Sequence, residues 1–396
     1  MNVIDLFSGC GGMSFGFEEA GFRIVAANEI DEWAGDTYHR NHPETLLHRG
    51  SIRDIHDWDS LVPPFLESGI DGVVGGPPCQ GFSLSGSRDK HDPRNSLFMD
   101  FVRCVKHFKP KFFVMENVRG LLSMSTASGK PVIDIILSEF SSAGYNASYS
   151  ILNAATYGVP QLRNRVFIIG IQKQFPYSKN MLFPQPSLSS KDFITVDMAI
   201  SDLPLIESGQ GSEFQEYPFQ PANSYQKWAR KKSDGVYNHV AMRHTQRLID
   251  RFKVIKHGQS VADVSKEHSA LKRGNPKVKS GKVFGQNNMR AYGSKPCPTL
   301  AASFQSNFIH PTLHRNFTAR EGARLQSFPD HYIFLGRRTT MSWEKSLSQY
   351  QQIGNAVPPL LAKAIAVNIS KYFKNISSIL NDEVHSNCEQ LQLFYT

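Results

Sequence analysis

The first thirty residues constrain the fold of this 396-residue chain more than any other segment. Apolar residues at 3–7 predict a strand, a glycine-rich turn follows, and a helical stretch at 13–20 leads into a second strand at 23–27. Gly21 falls where the C-terminal cap of the helix is expected. This order predicts the opening β-α-β unit of an α/β fold with a doubly wound, mostly parallel sheet.

The turn after the first predicted strand and the acid after the second strand indicate a nucleoside ligand. Glycines at such a turn let a ligand approach the backbone, and Glu29 can accept hydrogen bonds from ribose hydroxyls. The dinucleotide pattern G-x-G-x-x-G is not met, because Ser14 occupies the position of its third glycine. A nucleoside without a pyrophosphate, such as S-adenosylmethionine, is the predicted ligand. A purely structural tight turn would give the same glycine pattern.

A cysteine lies on a rigid loop directly after another short apolar strand. Two glycines and two prolines at 75–78 force the chain into a turn that presents Cys79 at the sheet edge. Isolated cysteines are most often small buried apolar residues. The prolines and the polar sequence that follows favour a nucleophile at Cys79 instead.

Further polar residues adjoin two more predicted strands. One apolar stretch ends at Glu116, and Arg163 and Arg165 alternate at the start of another. Because ligands bind beyond the carboxyl ends of parallel strands, Glu29, Cys79 and Glu116 are expected at one edge of the sheet. Two guanidinium groups there would suit a carbonyl oxygen or a phosphate. The structural alternatives are a solvated strand-end acid and arginines paired with surface acids.

Six sequence blocks occur in a characteristic order, at residues 5–12, 77–80, 116–118, 161–165, 318–330 and 352–358. Their sequences and order resemble those of the DNA cytosine-5 methyltransferases of bacterial restriction-modification systems. The resemblance covers residues 1–171 and 310–370, and it implies a Rossmann-like methyltransferase fold. It implies a catalytic and cofactor-binding domain at 1–180 and a smaller target-recognition domain that binds DNA at 181–309. Residues 310–375 would return to the catalytic domain and would include an amphipathic helix near 357–372. A tail of little order is expected at 376–396.

The resemblance implies methyl transfer from S-adenosylmethionine to C5 of a cytosine that is flipped out of double-stranded DNA. The Cys79 thiolate would add to C6, because C5 of an aromatic cytosine is a poor nucleophile. Glu116 would hydrogen-bond to N3, Arg165 would lie near O2, and Arg163 would support the loop or the thiolate. A site that acts on one flipped base predicts a monomer, and a cognate endonuclease would share its target sequence.

The resemblance also assigns residues to the cofactor and to DNA. Phe7 would stack near the adenine or methionine part and Glu29 would contact the ribose, whereas Ser51 replaces an aspartate that often reads adenine in the family. The other expected cofactor residues are Gly9, Gly11, Gly12, Ile30, Ile52, Pro78, Leu97, Asn355 and Val357. The polar segment 80–95 is expected to close over DNA. Its predicted DNA contacts are Gln80, Ser83, Ser85, Arg88 and Arg94.

Charge and cysteine usage fit an intracellular protein with a polyanionic partner. The formal net charge is +9, and cations mix with aromatic or amide residues at 227–232, 243–247 and 271–279. Such cations suit phosphate contacts, although charge runs are often only solvated faces. The five cysteines lack C-x-x-C spacing, so neither a disulfide framework nor a metal site is predicted. The N-terminal sequence has no leader pattern, which predicts a cytoplasmic, nucleoid-associated protein without membrane contact.

Three competing classes can be weighed against the motifs. A zinc cytidine deaminase needs H-x-E followed by P-C-x-x-C; residues 42–44 and 78–79 begin this pattern, but Phe82 occupies the position of the second cysteine. A non-catalytic DNA-binding protein on the same scaffold would lack the nucleophile or the cofactor glycines, and both are present. A transfer RNA cytosine-5 methyltransferase of similar fold remains the second hypothesis, although its Cys-Phe-Thr signature and shorter recognition region are not found.

Overall fold

The computed structural model of the chain describes residues 1–64, 66, 68–78, 97–126, 129–269, 271–272, 275–279, 285, 287–340 and 344–393. The strands within these residues are β1 (Asn2–Leu6), β2 (Arg23–Glu29), β3 (Leu46–Arg49), β4 (Gly72–Gly75), β5 (Phe112–Val118), β6 (Tyr145–Asn153), β7 (Gln161–Leu162), β8 (Asn164–Gln172), β9 (Gly211–Gln215), β10 (Val236–Val240), β11 (Leu271–Lys272), β12 (Asn275–Lys279), β13 (Met289–Arg290), β14 (Cys297–Pro298) and β15 (Phe308–Ile309). The α-helices are α1 (Gly12–Glu18), α2 (Glu32–Asn41), α3 (Leu97–Phe108), α4 (Val132–Ser142), α5 (Lys179–Leu182), α6 (Val196–Ile200), α7 (Ser224–Arg230), α8 (Gln246–Val254), α9 (Phe304–Asn307), α10 (Ala319–Leu325), α11 (Gln349–Asn355) and α12 (Pro359–Leu393).

A seven-stranded sheet is formed within residues 2–172, in the order β3-β2-β1-β4-β5-β8-β6. The pairs among β3, β2, β1, β4 and β5 are parallel, whereas β8 runs antiparallel to β5 and to β6. The strand order reverses at β1, which lies between β2 and β4. Doubly wound sheets bind ligands at this switch point, beyond the carboxyl ends of the strands. The predicted doubly wound, mostly parallel fold is confirmed.

Both faces of the sheet are covered, which explains the nearly continuous apolar sequence of its central strands. On one face, Val3 and Val114 pack in a buried cluster with Leu361 of α12. On the other face, Ile4 packs in a second cluster with Phe101 of α3. Because α12 also packs against α1, the C-terminal part of the chain is joined to the first β-α-β unit.

The C-terminal helix is longer than the sequence predicts. The expectation of a helix that ends near residue 372, followed by a tail of little order, is wrong, because α12 runs to Leu393. No glycine and no further proline follow Pro359 within the helix, so the residue types that most often end a helix are missing there. Neither α12 nor any other helix of the described residues has the length and apolar content needed to cross a membrane.

The region 181–309 contains short elements joined by irregular chain. β9 pairs with β10 and β11 with β12, while β14 pairs with β7, which precedes this region in the chain. Val196 and Tyr225 of this region share one buried cluster with Phe317 and Tyr350. Residues on both sides of the predicted boundary at 309 and 310 therefore pack together. The division into two domains stays a prediction.

Arg290 holds together part of the region 181–309. Its guanidinium group donates hydrogen bonds to the carbonyl oxygens of Phe252 and Ile255, at the end of α8. It also donates to the carbonyl oxygens of His310 and Leu313. Carbonyl groups at a helix end lack N–H partners further along the helix, and the buried Arg290 side chain supplies a donor to the Ile255 carbonyl and a second donor to that of Phe252, which also accepts from the N–H of Ile255.

Replacing Arg290 with methionine is expected to destabilise this region by about 3 kcal/mol or more, because each buried carbonyl group left without a donor costs about 1–3 kcal/mol. Hydrogen–deuterium exchange of the α8 amides would measure the effect. Arg247→Met is the matched control, since Arg247 is exposed on the same helix and donates to the carbonyl of Ser269. Equal exchange rates in the two variants would contradict the assigned role.

Candidate active site

A cavity of about 490 Å³ lies at the carboxyl ends of β1, β2, β4 and β5. Its volume is within the usual range for small-molecule sites. The predicted site residues that line it are Phe7, Gly9, Glu29, Ile30, Pro78, Glu116, Asn355 and Val357. Cys79 and the predicted DNA contacts Gln80, Ser83, Ser85, Arg88 and Arg94 lie outside the described residues.

The turn after β1 holds the carboxylate of Glu29 at the cavity. The backbone N–H of Gly9 donates to Oε2 of Glu29 at 2.7 Å, and the N–H of Asp31 donates to Oε1 at 2.7 Å. Burial raises the pKa of Glu29, and these two N–H groups oppose the rise. Phe7 begins the turn with a φ of 57°, an uncommon backbone conformation for a residue other than glycine. The carboxyl group thus has a fixed position beside the turn.

A close backbone contact brings the distant segment 355–357 to the same cavity. A Cβ atom at Gly12 would lie 2.3 Å from the carbonyl oxygen of Val357, so a side chain there would push the segment away. The neighbouring Gly11 precedes α1 and faces Tyr332. Gly11 and Gly12 therefore shape the turn and its packing, although they are not among the residues that line the cavity.

Three other predicted cofactor residues also lie outside the lining of the cavity. The Ser51 hydroxyl caps a short 3₁₀ helix by accepting a hydrogen bond from the N–H of Arg53 at 3.2 Å. Ile52 is buried in the apolar cluster beneath the sheet, and Leu97 at the start of α3 packs against this cluster. The described contacts of these three residues are structural.

Glu116 and Arg165 form an ion pair at the edge of the cavity. Arg165 Nε lies 3.1 Å from Glu116 Oε1, and each side chain is only 14% exposed. Val118 of β5 lies opposite Arg165 of β8, and Glu116 is two residues before Val118. Because every second side chain of a strand points to the same face, Glu116 and Arg165 lie on one face of the sheet. Burial raises the pKa of Glu116, while the charges of Arg165 and Arg163 oppose the rise. Protonation of this carboxyl group is therefore easier than in water.

The chain that leads to Cys79 is bound to the strand that carries Glu116. Asn117 Nδ2 donates to the carbonyl oxygen of Pro77 at 3.0 Å. A Cβ atom at Gly76 would lie 3.1 Å from Glu116 Oε2, a tight contact that glycine avoids. Pro78, the residue before Cys79, lines the cavity. The described residues thus carry the chain past the Glu116 carboxylate as far as Pro78, which precedes the predicted nucleophile in the sequence.

Arg163 supports a different part of the site from Arg165. Its buried guanidinium group donates to the carbonyl oxygen of Leu300 at 2.7 Å, to that of Gly354 at 2.8 Å and to that of Ala356 at 3.2 Å. These contacts fix the segment that carries Asn355 into the cavity. The predicted support of the Cys79 loop falls outside the described residues, so this role of Arg163 stays a prediction.

Replacing Arg163 with methionine is expected to lower the free energy of unfolding by about 3–5 kcal/mol, since buried carbonyl groups lose a charged donor. Equilibrium unfolding in urea would measure the loss. Arg165→Met is the matched control and should cost less stability, because Glu116 can take up a proton when its partner is removed. A stability loss as large for Arg165→Met as for Arg163→Met would argue against the distinction.

Twelve of the described residues that line the cavity were not assigned to it from the sequence, and they include Asp5, Cys10, Asp31, Leu347 and Gln352. Asp5 and Cys10 lie within the first motif, and Asp31 follows Glu29 closely. These three residues could have been identified from the sequence, because they are close in the chain to residues that were assigned to the site. Leu347 and Gln352 come from the other end of the chain. The N–H of Leu347 donates to Oδ2 of Asp31 at 2.8 Å, a contact that only the folded chain creates.

The model of the C-5 cytosine-specific DNA methylases matches residues 1–371. The chain belongs to this family. The DNA methylase is 60% identical over 382 residues to the type II methyltransferase M.DdeI of Desulfomicrobium norvegicum, which covers 96% of this chain and 91% of that relative. It is 36% identical over 378 residues to the type II methyltransferase M1.HphI of Haemophilus parahaemolyticus, and this match covers 95% of this chain and 88% of that relative.

Solved structures agree with the family assignment. A crystal structure described as a DNA modification methyltransferase encoded within an E. coli prophage matches the methylase with a TM-score of 0.71 and 28% identity, over 94% of this chain and 99% of that chain. The DNMT2 of Spodoptera frugiperda matches with a TM-score of 0.55 and 16% identity, over 94% of this chain and 99% of that chain. This match shows a shared fold. The predicted enzyme class, a DNA (cytosine-5-)-methyltransferase, is confirmed.

Proposed function

We propose that this methylase transfers a methyl group from S-adenosylmethionine to C5 of a cytosine flipped out of a specific duplex DNA sequence. Within a restriction-modification system, this modification would protect host DNA from a cognate endonuclease. The observation that carries the proposal is that three features meet at one cavity. They are the Glu116–Arg165 ion pair, the glycine turn after β1, and Pro78, which precedes Cys79 in the sequence. The names of the relatives as type II methyltransferases support the biological context.

The cavity suits the proposed cofactor. The carboxylate of Glu29 is held by two backbone donors beside it, in a position suited to ribose hydroxyls. Ile30 follows Glu29 in the lining and is 71% exposed, which gives an apolar surface for an adenine ring. Phe7 and Asn355 complete the set of residues that would hold the molecule. When bound, S-adenosylmethionine supplies a methyl group attached to a positively charged sulfur.

The protein residues would make C5 of the cytosine reactive. The Cys79 thiolate would form a bond from Sγ to C6, and the displaced ring electrons would make C5 nucleophilic. After C5 has gained the methyl group, a base removes the C5 proton and the electron pair of that C–H bond expels Cys79. The bond to the enzyme is therefore made and broken once in each turnover, and the thiolate is regenerated.

Glu116 and Arg165 would stabilise the charge that this addition creates. Attack at C6 places negative charge on N3 and O2 of the base, where a proton on Glu116 and the Arg165 cation would act. The raised pKa of Glu116 favours the protonated form that can donate to N3. The charge of the neighbouring Arg165 guanidinium opposes this rise of the Glu116 pKa and so favours release of the proton.

The exposed cations of the recognition region suit a DNA backbone. Lys227, Lys231, Lys232 and Arg243 are exposed, and phosphate contacts are the usual role of such side chains. Arg230 differs, because it stacks on Tyr217 at 3.5 Å and lies 3.5 Å from a carboxylate oxygen of Asp202. The described contacts of Arg230 stabilise the protein. Binding energy from phosphate contacts would offset the few kcal/mol needed to flip a base.

The test is transfer of a labelled methyl group from S-adenosylmethionine to unmethylated duplex DNA, with transfer RNA as a parallel substrate. Label should appear in DNA as 5-methylcytosine at one recurring sequence. Mapping the modified cytosines would give that target sequence. Label in transfer RNA alone would favour the second hypothesis, and label at another position of the base would refute the proposed chemistry.

A further inference from the structure

A second cavity, of about 770 Å³, lies at the other end of the sheet from the candidate active site. Its lining includes Met1 and Lys111, which directly precede β1 and β5, and Phe22, which directly precedes β2. The candidate active site lies beyond the carboxyl ends of the same strands, so about the length of β1, five residues or roughly 16 Å, separates the two cavities. The volume of the second cavity is within the usual range for small-molecule sites. A ligand there would touch neither the cofactor nor the cytosine.

The distal part of α12 forms another wall of this cavity. Phe373, Lys374, Ile376, Ser377 and Ser378 contribute to the lining. The match to the C-5 cytosine-specific DNA methylases ends at residue 371, before all five of them. The cavity therefore exists because α12 continues past the segment that the family model describes, and the family match does not account for this wall.

Much of the lining is aromatic or aliphatic. Phe22 and Ile376 are buried, while Phe175 and Phe373 are half-buried with ring centroids 5.4 Å apart. Phe112 packs behind them, with its ring centroid 5.9 Å from that of Phe373 and 5.8 Å from that of Phe22. The described lining contains no aspartate, glutamate, asparagine or glutamine. Sugars and nucleic-acid bases need such polar partners, so this surface suits a hydrocarbon instead.

Two lysines give the described lining its positive charge. Lys111 Nζ lies 2.7 Å from Oδ1 of Asp71, and the Lys111 side chain remains 51% exposed. Lys374 is exposed and has no ion pair among the described residues. The hydroxyl groups of Ser377 and Ser378 donate to carbonyl oxygens within α12. The two ammonium groups are therefore the strongest donors at the cavity, and they favour an anionic head group.

We propose that this cavity binds a monocarboxylate with an apolar chain. The carboxylate contacts the ammonium groups of Lys374 and Lys111, and the chain lies on the phenylalanine side chains. A neutral hydrocarbon would leave the lysines without a partner, whereas a polyanion such as DNA would have no apolar part to place on the rings. This site goes beyond the proposed function and does not depend on it.

The contact has a structural consequence for α12. Lys374 lies on the distal part of this helix, and Lys111 directly precedes β5. A carboxylate between the two lysines would link the helix to the amino end of the sheet. Binding should therefore slow hydrogen–deuterium exchange of the amides at 372–378, because local opening of the helix would break these contacts.

Calorimetric titration of the full chain with decanoate tests the site. Decanoate should bind at one saturable site, and octanoate should bind about 10-fold more weakly because it has two fewer CH₂ groups to bury. Decanol has the same chain without the charge and should bind about 10- to 100-fold more weakly than decanoate, the usual range for a hydrogen bond to a charged group. Decylamine, with a cationic head group, should not bind.

Two charge variants of α12 locate the head group. Lys374→Glu should weaken decanoate by about 10-fold or more. Lys371→Glu is the matched control, because Lys371 is exposed on the same helix but does not line the cavity. Its decanoate affinity should stay within about 2-fold of the wild-type value, since solvent and salt screen exposed charges. Saturating S-adenosylmethionine should leave the affinity of the wild type for decanoate unchanged.

Several outcomes would overturn the inference. Absent or non-saturable binding, or equal affinities for decanoate and decanol, would show adsorption to an apolar surface only. An equal loss in Lys371→Glu and Lys374→Glu would remove the direct contact, and displacement by S-adenosylmethionine would place decanoate in the candidate active site. A ligand-free dimer in sedimentation that Lys374→Glu dissociates would assign the surface to a second copy of the chain. Absence of methyl transfer with intact decanoate binding would refute the proposed function alone.

Discussion

A variant with serine in place of Cys79 is expected to bind S-adenosylmethionine normally and to transfer methyl groups more slowly by a factor on the order of 10⁴ or more. The reacting form is a thiolate, and a serine hydroxyl ionises far less readily near neutral pH. Single-turnover transfer of a labelled methyl group to duplex DNA would measure the loss. An unchanged cofactor affinity would show that the substitution affects the chemistry alone.

A duplex with 5-fluorocytosine at the target position gives a second readout for Cys79. Fluorine cannot leave as a cation in place of the C5 proton, so the bond from Sγ to C6 should persist after methyl transfer. The wild type should then stay attached to the DNA under denaturing conditions, and Cys79→Ser should not. Cys104→Ala is the matched control, because Cys104 lies on the buried face of α3 and its replacement should leave the attachment unchanged. Attachment by Cys79→Ser would contradict the assigned nucleophile.

Replacing Glu116 with glutamine is expected to lower the rate of methyl transfer by about 10²- to 10⁴-fold, the usual contribution of a positioned acid. Glutamine keeps the size of the side chain but has no acidic proton to give to N3. Arg165 would also lose the carboxylate that lies 3.1 Å from its Nε. Single-turnover rates with saturating DNA and cofactor would measure the change. Glu139→Gln is the control, since Glu139 pairs with Lys106 at the surface.

The pH profile gives the sign of the Glu116 effect. Burial raises the pKa of Glu116 in the folded protein, so the protonated fraction falls as the pH rises through this raised value. The fraction of Cys79 thiolate also changes with pH, but this change is common to the wild type and Glu116→Gln. If the protonated form of Glu116 donates to N3, the ratio of the wild-type rate to the Glu116→Gln rate should therefore decline across that window. A ratio that rises with pH in the same window would show that the ionised carboxylate is the active form.

Local sequence patterns were sufficient for the first β-α-β unit but not for contacts between distant segments. The strands predicted at 3–7 and 23–27 occur within two residues of the expected ends, because an apolar run followed by glycines determines them locally. Arg163 could not be assigned in full, since its partners at Leu300 and Gly354 lie far along the chain. The burial of Asp5 next to Ser14 is likewise a result of folding that sequence alone does not reveal.

The contact between Arg163 and Leu300 restricts how the predicted recognition region, 181–309, can be exchanged between related methylases. β14 at Cys297–Pro298 pairs with β7, and the carbonyl of Leu300 accepts a hydrogen bond from Arg163. A graft that replaced all of 181–309 would remove these partners and loosen the segment that carries Asn355. A transplant that ends before Cys297 keeps the junction native, so a hybrid enzyme with altered target preference should be built with its second crossover at that point.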